Sequence, residues 1–233
     1  MRDLFAILKE NAYPGRGIVL GRTPDGARAV IAYFIMGRSA NSRNRVFAQD
    51  GDALYTRAFD ESKVEDPSLI IYAPIREVTG RTIVTNGDQT DTIYVHLTEG
   101  KSFPEALRTR TFEPDAPHYT PRISGLLETN GDYTLSILKS ADGNPASCHR
   151  FFYEYEAHSG VGHFIHTYQG NAEILQSFSG EPMAIVMEDD VQLFTENLWQ
   201  SLNEENKIAL FVQYRNLETG ETDTIIKNRH MEA

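Results

Sequence analysis

Residues able to do chemistry gather between Phe112 and Gly125, in the stretch Phe-Glu-Pro-Asp-Ala-Pro-His-Tyr-Thr-Pro-Arg-Ile-Ser-Gly. Glu113, Asp115, His118, Tyr119, Thr120 and Arg122 set acids, a potential base, hydroxyls and a cation beside the apolar Ile123, Leu126 and Leu127. Such a set can move protons and hold developing charge, provided the backbone keeps it still. Three prolines block helix and restrain the residues before them, which predicts an ordered, extended surface segment. Read alone, the stretch also fits a solvated crossover between two elements.

A second group follows an apolar run as Gly37-Arg38-Ser39-Ala40-Asn41-Ser42-Arg43-Asn44-Arg45. Between Asp25 and Asp50 no acidic residue occurs, while Arg28, Arg38, Arg43 and Arg45 do. In a chain of 233 residues with a net charge of -11, this is a local anion-attracting island. Arginines with Ser and Asn donors at a strand end suit a phosphate or carboxylate through bidentate hydrogen bonds. A solvated loop paired with surface carboxylates is the alternative. Polar residues gather once more at Asn86-Gly87-Asp88-Gln89-Thr90-Asp91, although Asn-Gly is also a routine turn dipeptide.

His163 and His166 lie in the glycine-bounded segment Gly160 to Gly170. On a strand they face opposite ways, and no carboxylate or thiolate adjoins them, so they read as core or surface histidines and not as a metal pair. Gly160 and Gly162 lack the third glycine and the following helix of a dinucleotide fingerprint.

The composition excludes several classes. Excess acid argues against sequence-independent nucleic-acid binding. The longest apolar runs, Ile31 to Met36 and Ile208 to Val212, are far too short to span a membrane, and the N-terminus lacks a signal-peptide pattern, so a soluble, cytoplasmic protein is expected. The single Cys148 has no disulfide partner within the chain. No Ser/Gly/Pro-rich linker divides the sequence, which is read as a single domain over residues 1–233, with 1–12 as a helical extension.

The elements that must position these groups are mostly strands. Asp3 is expected to cap a short helix carrying Leu4 and Leu8, ending near Asn11. Gly17 to Leu20 and Ala27 to Met36 form a hairpin across Asp25-Gly26, its second strand apolar enough to be central. Further strands are expected at Ala53 to Arg57, Leu69 to Ile75, Arg81 to Thr85, Tyr133 to Lys139, Phe151 to Tyr155 and Pro182 to Met187. Asn130-Gly131 and Asp142-Gly143 bound the Tyr133 strand, and a hairpin runs from Ile208 to Lys227. Ser102 and Glu105 form a capping box for a short helix, a longer one over Asp91 to Leu107 being the alternative, and Asp190 or Thr195 caps a helix carrying Leu198, Trp199 and Leu202. Many strands and few helices give an α+β protein with mostly antiparallel sheets.

Four stretches fall in the order and approximate spacing of one pattern: Arg38-Ser39 with Arg43, Asn86-Gly87 with Thr90-Asp91, Thr120-Pro121-Arg122-Ile123, and His166-Thr167-Tyr168-Gln169-Gly170. On these motifs residues 15 to 215 resemble the archaeal-type inosine monophosphate cyclohydrolase family. Two departures stand out: Ser-Ala-Asn-Ser lies between Arg38 and Arg43 where the family pattern has Phe-Pro-Asn, and Asp88-Gln89 stands where Ser-His is usual. The resemblance implies a four-layer αββα sandwich similar to the N-terminal nucleophile hydrolases, but without a processed nucleophile, since Arg2 follows Met1.

The activity it implies is closure of the purine ring of 5-formamidoimidazole-4-carboxamide ribotide to inosine monophosphate, without cofactor or metal, on a small-molecule purine nucleotide and in a homo-oligomer. On that resemblance Arg38, Arg43 and Arg122 hold phosphate and developing charge, with Arg45 a fourth. Ser39, Asn86, Thr90, Asp91, Thr120 and Gln169 contact substrate, Glu113 is the general acid or base, and Tyr72 and Tyr168 donate protons or stack. A nucleotide-binding protein without turnover, an amide hydrolase on the same fold and a purely structural β-rich protein are the rival readings.

Overall fold

The computed structural model describes residues 1–64, 71–141 and 144–231. Helix α1 (Leu4–Glu10) is capped by Asp3, whose carboxylate accepts from the amides of Phe5 and Ala6, and it ends at Asn11. The hairpin follows as β1 (Arg16–Arg22) and β2 (Arg28–Met36). A single helical turn, α2 (Ala40–Arg43), leads into β3 (Arg45–Asp50), β4 (Ala53–Ala58), β5 (Ile75–Val78) and β6 (Arg81–Thr85). Next come α3 (Gln89–Thr98), α4 (Phe103–Arg108), β7 (Arg122–Leu127), β8 (Tyr133–Ala141) and β9 (Asn144–Tyr155). β10 (Val161–His166), β11 (Met183–Val186), α5 (Val191–Ser201), β12 (Lys207–Asn216) and β13 (Thr222–Asn228) complete the chain.

These strands make two antiparallel sheets, one ordered β11-β10-β1-β2-β12-β13 and the other β3-β4-β5-β6-β7-β8-β9, so the protein is α+β. β2 lies between β1 and β12, as its nearly unbroken apolar sequence demands, and its residues from Ala29 onward are buried. Alternation along β2 feeds two cores. Ile31, Tyr33 and Ile35 meet Phe47, Leu54, Ile75, Ile123 and Ile137 of the other sheet, while Val30, Phe34 and Met36 join Leu4 and Leu8 of α1 and Phe194, Leu198 and Trp199 of α5. A third core joins Ile93, Leu97, Phe103 and Leu107 of α3 and α4 to Ile83, Leu126 and Leu138. Each such large side chain contributes about 1.5–3 kcal/mol relative to exposure.

Several expectations change. The sequence between Asp91 and Leu107 forms two helices, with Ser102 and Glu105 capping the second reciprocally. The arginine island is not a loop throughout, because Arg45 already opens β3, and Asp190 rather than Thr195 caps α5. Leu69 and Ile70 of the expected strand lie outside the described residues, as does Asp142-Gly143; β5 itself begins at Ile75. Phe112 to Gly125 is a surface segment only in part: Pro114, Ala116 and Pro117 are exposed, but its two ends turn inward. Phe112, Thr120 and Pro121 are buried and Arg122 starts β7, because Ile123 and Leu127 supply one core and Leu126 another.

Close backbone approach fixes the β1–β10 pair at Gly21 and Gly162, which face each other. A Cβ on Gly21 would sit 2.6 Å from the Gly162 Cα and 2.9 Å from the Val161 carbonyl oxygen, atoms that cannot swing aside. Gly21→Ala is therefore expected to destabilise by about 1–3 kcal/mol, seen as a lowered urea midpoint; an unchanged midpoint would show that the strands can part freely.

Candidate functional site

A cluster of buried polar groups forms at the end of the inter-sheet core where β1 and β3 begin. Arg16 opens β1, its amide bonded to Thr167 Oγ1 at 3.1 Å, and that hydroxyl in turn donates to the Pro14 carbonyl. Tyr33 projects from β2 into the same layer, and its hydroxyl lies 2.9 Å from that of Tyr72. Tyr72 is fixed by Thr56, which accepts the Tyr72 amide at 3.0 Å while its own amide donates to the Tyr72 carbonyl at 2.9 Å.

Arg45 is fully buried, with Nε donating to the Ser42 carbonyl at 2.7 Å and both terminal nitrogens without a partner. Arg16 Nε is likewise buried and unpartnered. Burial pulls the Arg45 guanidinium below its ordinary range, and the nearby charge of Arg16 adds to the effect. Two cations held close with unsatisfied donors make a strong demand for an anion.

Glu113 closes one side of the cluster. Burial raises its carboxyl above the usual range, Arg16 and Arg122 oppose that rise, and Asp115 and Asp88 reinforce it. Arg122 Nη1 reaches Gln89 Oε1 and Asp88 Oδ1 at 2.7 Å and Glu113 Oε1 at 3.7 Å. Burial pushes the Asp88 carboxyl up, but its bonds to Arg110, at 2.5 Å, and Arg122 outweigh this and hold it low. On the other side Tyr168 meets Thr120 Oγ1 at 2.5 Å, and Thr120 donates both its hydroxyl and its amide to the Asp115 carboxylate. Burial pushes the Tyr168 phenol up to about 12, so it stays a neutral donor. Tyr13 stacks on Tyr168 at 5.9 Å between centroids, and the Arg38 guanidinium lies 5.1 Å from the Tyr13 centroid.

The structure thus brings Tyr72, Glu113, Thr120, Arg122, Tyr168 and Arg45 into one constellation with Arg16, Tyr33 and Tyr13, and holds Arg38 at its rim on Asn171 Oδ1 and the Ala172 carbonyl. Other expected contacts stand elsewhere. Arg43 folds back on the Gly37 carbonyl and Asn206, and Ser39 caps α2. Asn86 spends its amide on the Pro121 carbonyl and the Ile123 amide, and Thr90 bonds Thr85 and the Gly87 carbonyl. Asp91 is exposed on α3, ion-paired with Arg76 at 2.6 Å, and Gln169 bonds the Ser177 carbonyl.

His163 bonds the Tyr133 hydroxyl and His166 the Tyr168 carbonyl, on opposite faces as alternation requires. A cavity of about 470 Å³ around Gln49, Glu77, Gln213 and Arg215 lies at the far ends of β3 and β12 and holds none of the cluster.

Arg16, Tyr33 and Tyr13 escaped the sequence reading. Their signals were faint: an arginine between Gly15 and Gly17, and one hydroxyl in the apolar β2. Gly87 matters through space, since a Cβ there would fall 2.7 Å from both Arg122 Nη1 and Gln89 Oε1 and 3.3 Å from Glu113 Oε1. Gly87→Ala is expected to displace Arg122 while the melting temperature stays nearly constant and, on the function proposed below, to cost about tenfold or more in turnover; an unaltered rate would remove Arg122 from that assignment.

Residues 13–221 match the family described as IMP cyclohydrolase-like protein. The chain therefore belongs to that family. The IMP cyclohydrolase of Methanosphaera stadtmanae is 31% identical over 130 residues, 54% of this chain and 63% of the relative, and that of Methanopyrus kandleri is 31% identical over 165 residues, 70% of this chain and 78% of the relative. The matched region takes in every member of the cluster and begins at Tyr13.

Proposed function

We propose that the protein is an IMP cyclohydrolase, closing 5-formamidoimidazole-4-carboxamide ribotide to inosine monophosphate with loss of water. The observation that carries this reading is a set of buried, unpartnered guanidinium nitrogens, both terminal nitrogens of the fully buried Arg45 and Nε of the half-buried Arg16, beside the largely buried carboxyl of Glu113. In the reaction the carboxamide nitrogen attacks the formyl carbon and its lost proton is passed to the former formyl oxygen, giving a carbinolamine; that oxygen takes a second proton and departs as water while the formamido nitrogen gives up its N–H proton and closes the ring C=N bond. Both reacting groups sit on one ring, so orientation and charge stabilisation supply most of the rate.

In this assignment Arg16 and Arg45 bind the anionic groups, the one free proton of the Tyr33–Tyr72 hydroxyl pair is donated to developing oxyanion charge, Tyr168, whose proton goes to Thr120, stacks on Tyr13, and Glu113 carries protons. Arg122 and Arg38 flank the ligand. The fold assigned with this activity is a single-domain four-layer αββα sandwich like that of N-terminal nucleophile hydrolases; the three separate cores and the two antiparallel sheets support it. We also assign a cytoplasmic, homo-oligomeric enzyme; among the described residues no helix is long and apolar enough to cross a membrane.

The test is conversion of the formamido ribotide, followed against its uncatalysed closure. Acceleration that is lost on changing Arg45 supports the reading. Product binding without acceleration would instead favour a nucleotide-binding protein, with Asp88, tied to both Arg110 and Arg122, as the departure to examine.

A further inference from the structure

Three of the four sheet edges are closed or short. Asn228 bonds both the amide and the carbonyl of Phe47 on β3, the backbone of Arg2 pairs with β11, and β13 has only seven residues. β9 differs: it spans twelve residues at the end of the seven-stranded sheet, and among the described residues β8 is the one strand it pairs with, its other backbone bonds being local ones to its own Asn144 and Cys148 side chains. From Ser147 to Tyr155 it has no proline and no lysine, the residues that usually blunt such an edge.

The two faces of β9 are sharply different. His149, Phe151, Tyr153 and Tyr155 make an aromatic row, with Phe151 and Tyr153 stacked at 6.4 Å and Phe151 38% exposed. Cys148, Arg150, Phe152 and Glu154 alternate on the other face, where Phe152 packs on Phe103 and Arg150 donates to the Arg110 carbonyl.

We propose that β9 joins two copies of this chain, antiparallel about a two-fold axis at Phe152, into one continuous sheet. Charge selects this register. An axis at Arg150 would oppose two arginines and one at Glu154 two glutamates; an axis at Phe151 sets Arg150 against Phe152 and Glu154 against Cys148, and one at Tyr153 sets Glu154 against Phe152 and matches Arg150 only with Glu156, beyond the end of β9. Only the axis at Phe152 sets Arg150 against the second copy's Glu154 on both sides of the dyad. The same register sets Phe151 against Tyr153 and His149 against Tyr155, extending the aromatic row across the join. Cross-strand aromatic and opposite-charge pairs are the contacts that stabilise antiparallel strands. The proposal does not depend on what the arginine cluster binds.

Sedimentation of the intact protein tests it. The wild-type protein is expected to be a dimer or a multiple of one, Arg150→Glu to weaken association by about tenfold or more, and the double variant Arg150→Glu, Glu154→Arg to restore it. The double variant also lacks the bond to the Arg110 carbonyl, so its recovery separates pairing from folding. In a Cys148→Ser background, Phe152→Cys is expected to yield a covalent dimer on oxidation, because directly opposed residues lie within disulfide reach. A monomeric wild-type protein, an association indifferent to Arg150→Glu, a double variant that stays dissociated, or a folded Phe152→Cys variant that does not cross-link would each overturn the proposal.

Discussion

Replacing Arg45 with methionine is expected to make the protein more stable and, on the proposed function, to weaken its hold on inosine monophosphate. The guanidinium is fully buried, keeps one hydrogen bond through Nε, and faces Arg16 with no carboxylate bonded to it. A charge in that position is a standing cost to the free protein, and an apolar side chain of similar length should recover about 1–4 kcal/mol. The same change strips two charged donors from the anion site, and at about 1.5–3 kcal/mol per hydrogen bond to a charged group, affinity for inosine monophosphate should fall by at least ~10²-fold. Thermal melts with and without nucleotide measure both effects at once. If Arg45→Met bound product as well as the wild type does, the unpartnered nitrogens would need another explanation. A drop in melting temperature would show that the charge is compensated.

The second large effect is expected at Glu113. Glu113→Gln keeps the shape and removes the proton carrier, so turnover should fall by about 10²–10⁴-fold with little change in product affinity. Burial holds the Glu113 carboxyl above its usual range even though Arg16 and Arg122 draw it down. Its protonated form is thus favoured in the folded state. The stability this confers is full below the unfolded-state value and is lost as pH rises through the raised folded-state value. At neutral pH the wild-type protein carries a penalty that the glutamine variant lacks, and denaturant titrations should find the variant more stable there and level with the wild type in acid. If the carboxylate takes up a proton in turnover, the wild-type rate climbs across the raised value and the residual rate of the variant does not. A variant with wild-type turnover would assign proton transfer to another group.

How far the residues announced this arrangement depends on what each one's signal competed with. β2 was legible because the eight successive residues from Ala29 to Met36, with the Tyr33 hydroxyl their one polar side-chain group, can only be buried on both faces. β7 was not, because Gly125 and three preceding prolines mask a strand whose burial comes from partners distant in sequence. Arg45 was seen as part of a loop, and only the pairing of β3 with β4 turns it inward. Asn86 had the right chemistry to grip a ligand, yet the backbone of Pro121 and Ile123 claims its amide first. Asp91 sat in the right motif, but the helix starting at Gln89 presents it to Arg76. Local sequence reports which groups are present; it does not report which of them the rest of the fold has already engaged.

The position of β2 also bears on how the chain comes to be made. One of its neighbours, β1, precedes it in the chain, but the other, β12, begins at Lys207. While the ribosome is still adding that intervening stretch, the flank of β2 that will receive β12 is a bare hydrogen-bonding edge on one of the most apolar segments in the protein. Long-range pairing of this kind closes slowly. The nascent chain therefore passes through a prolonged interval in which its best strand is also its most adhesive surface, and factors that shield emerging chains should govern its yield more than they govern its final stability.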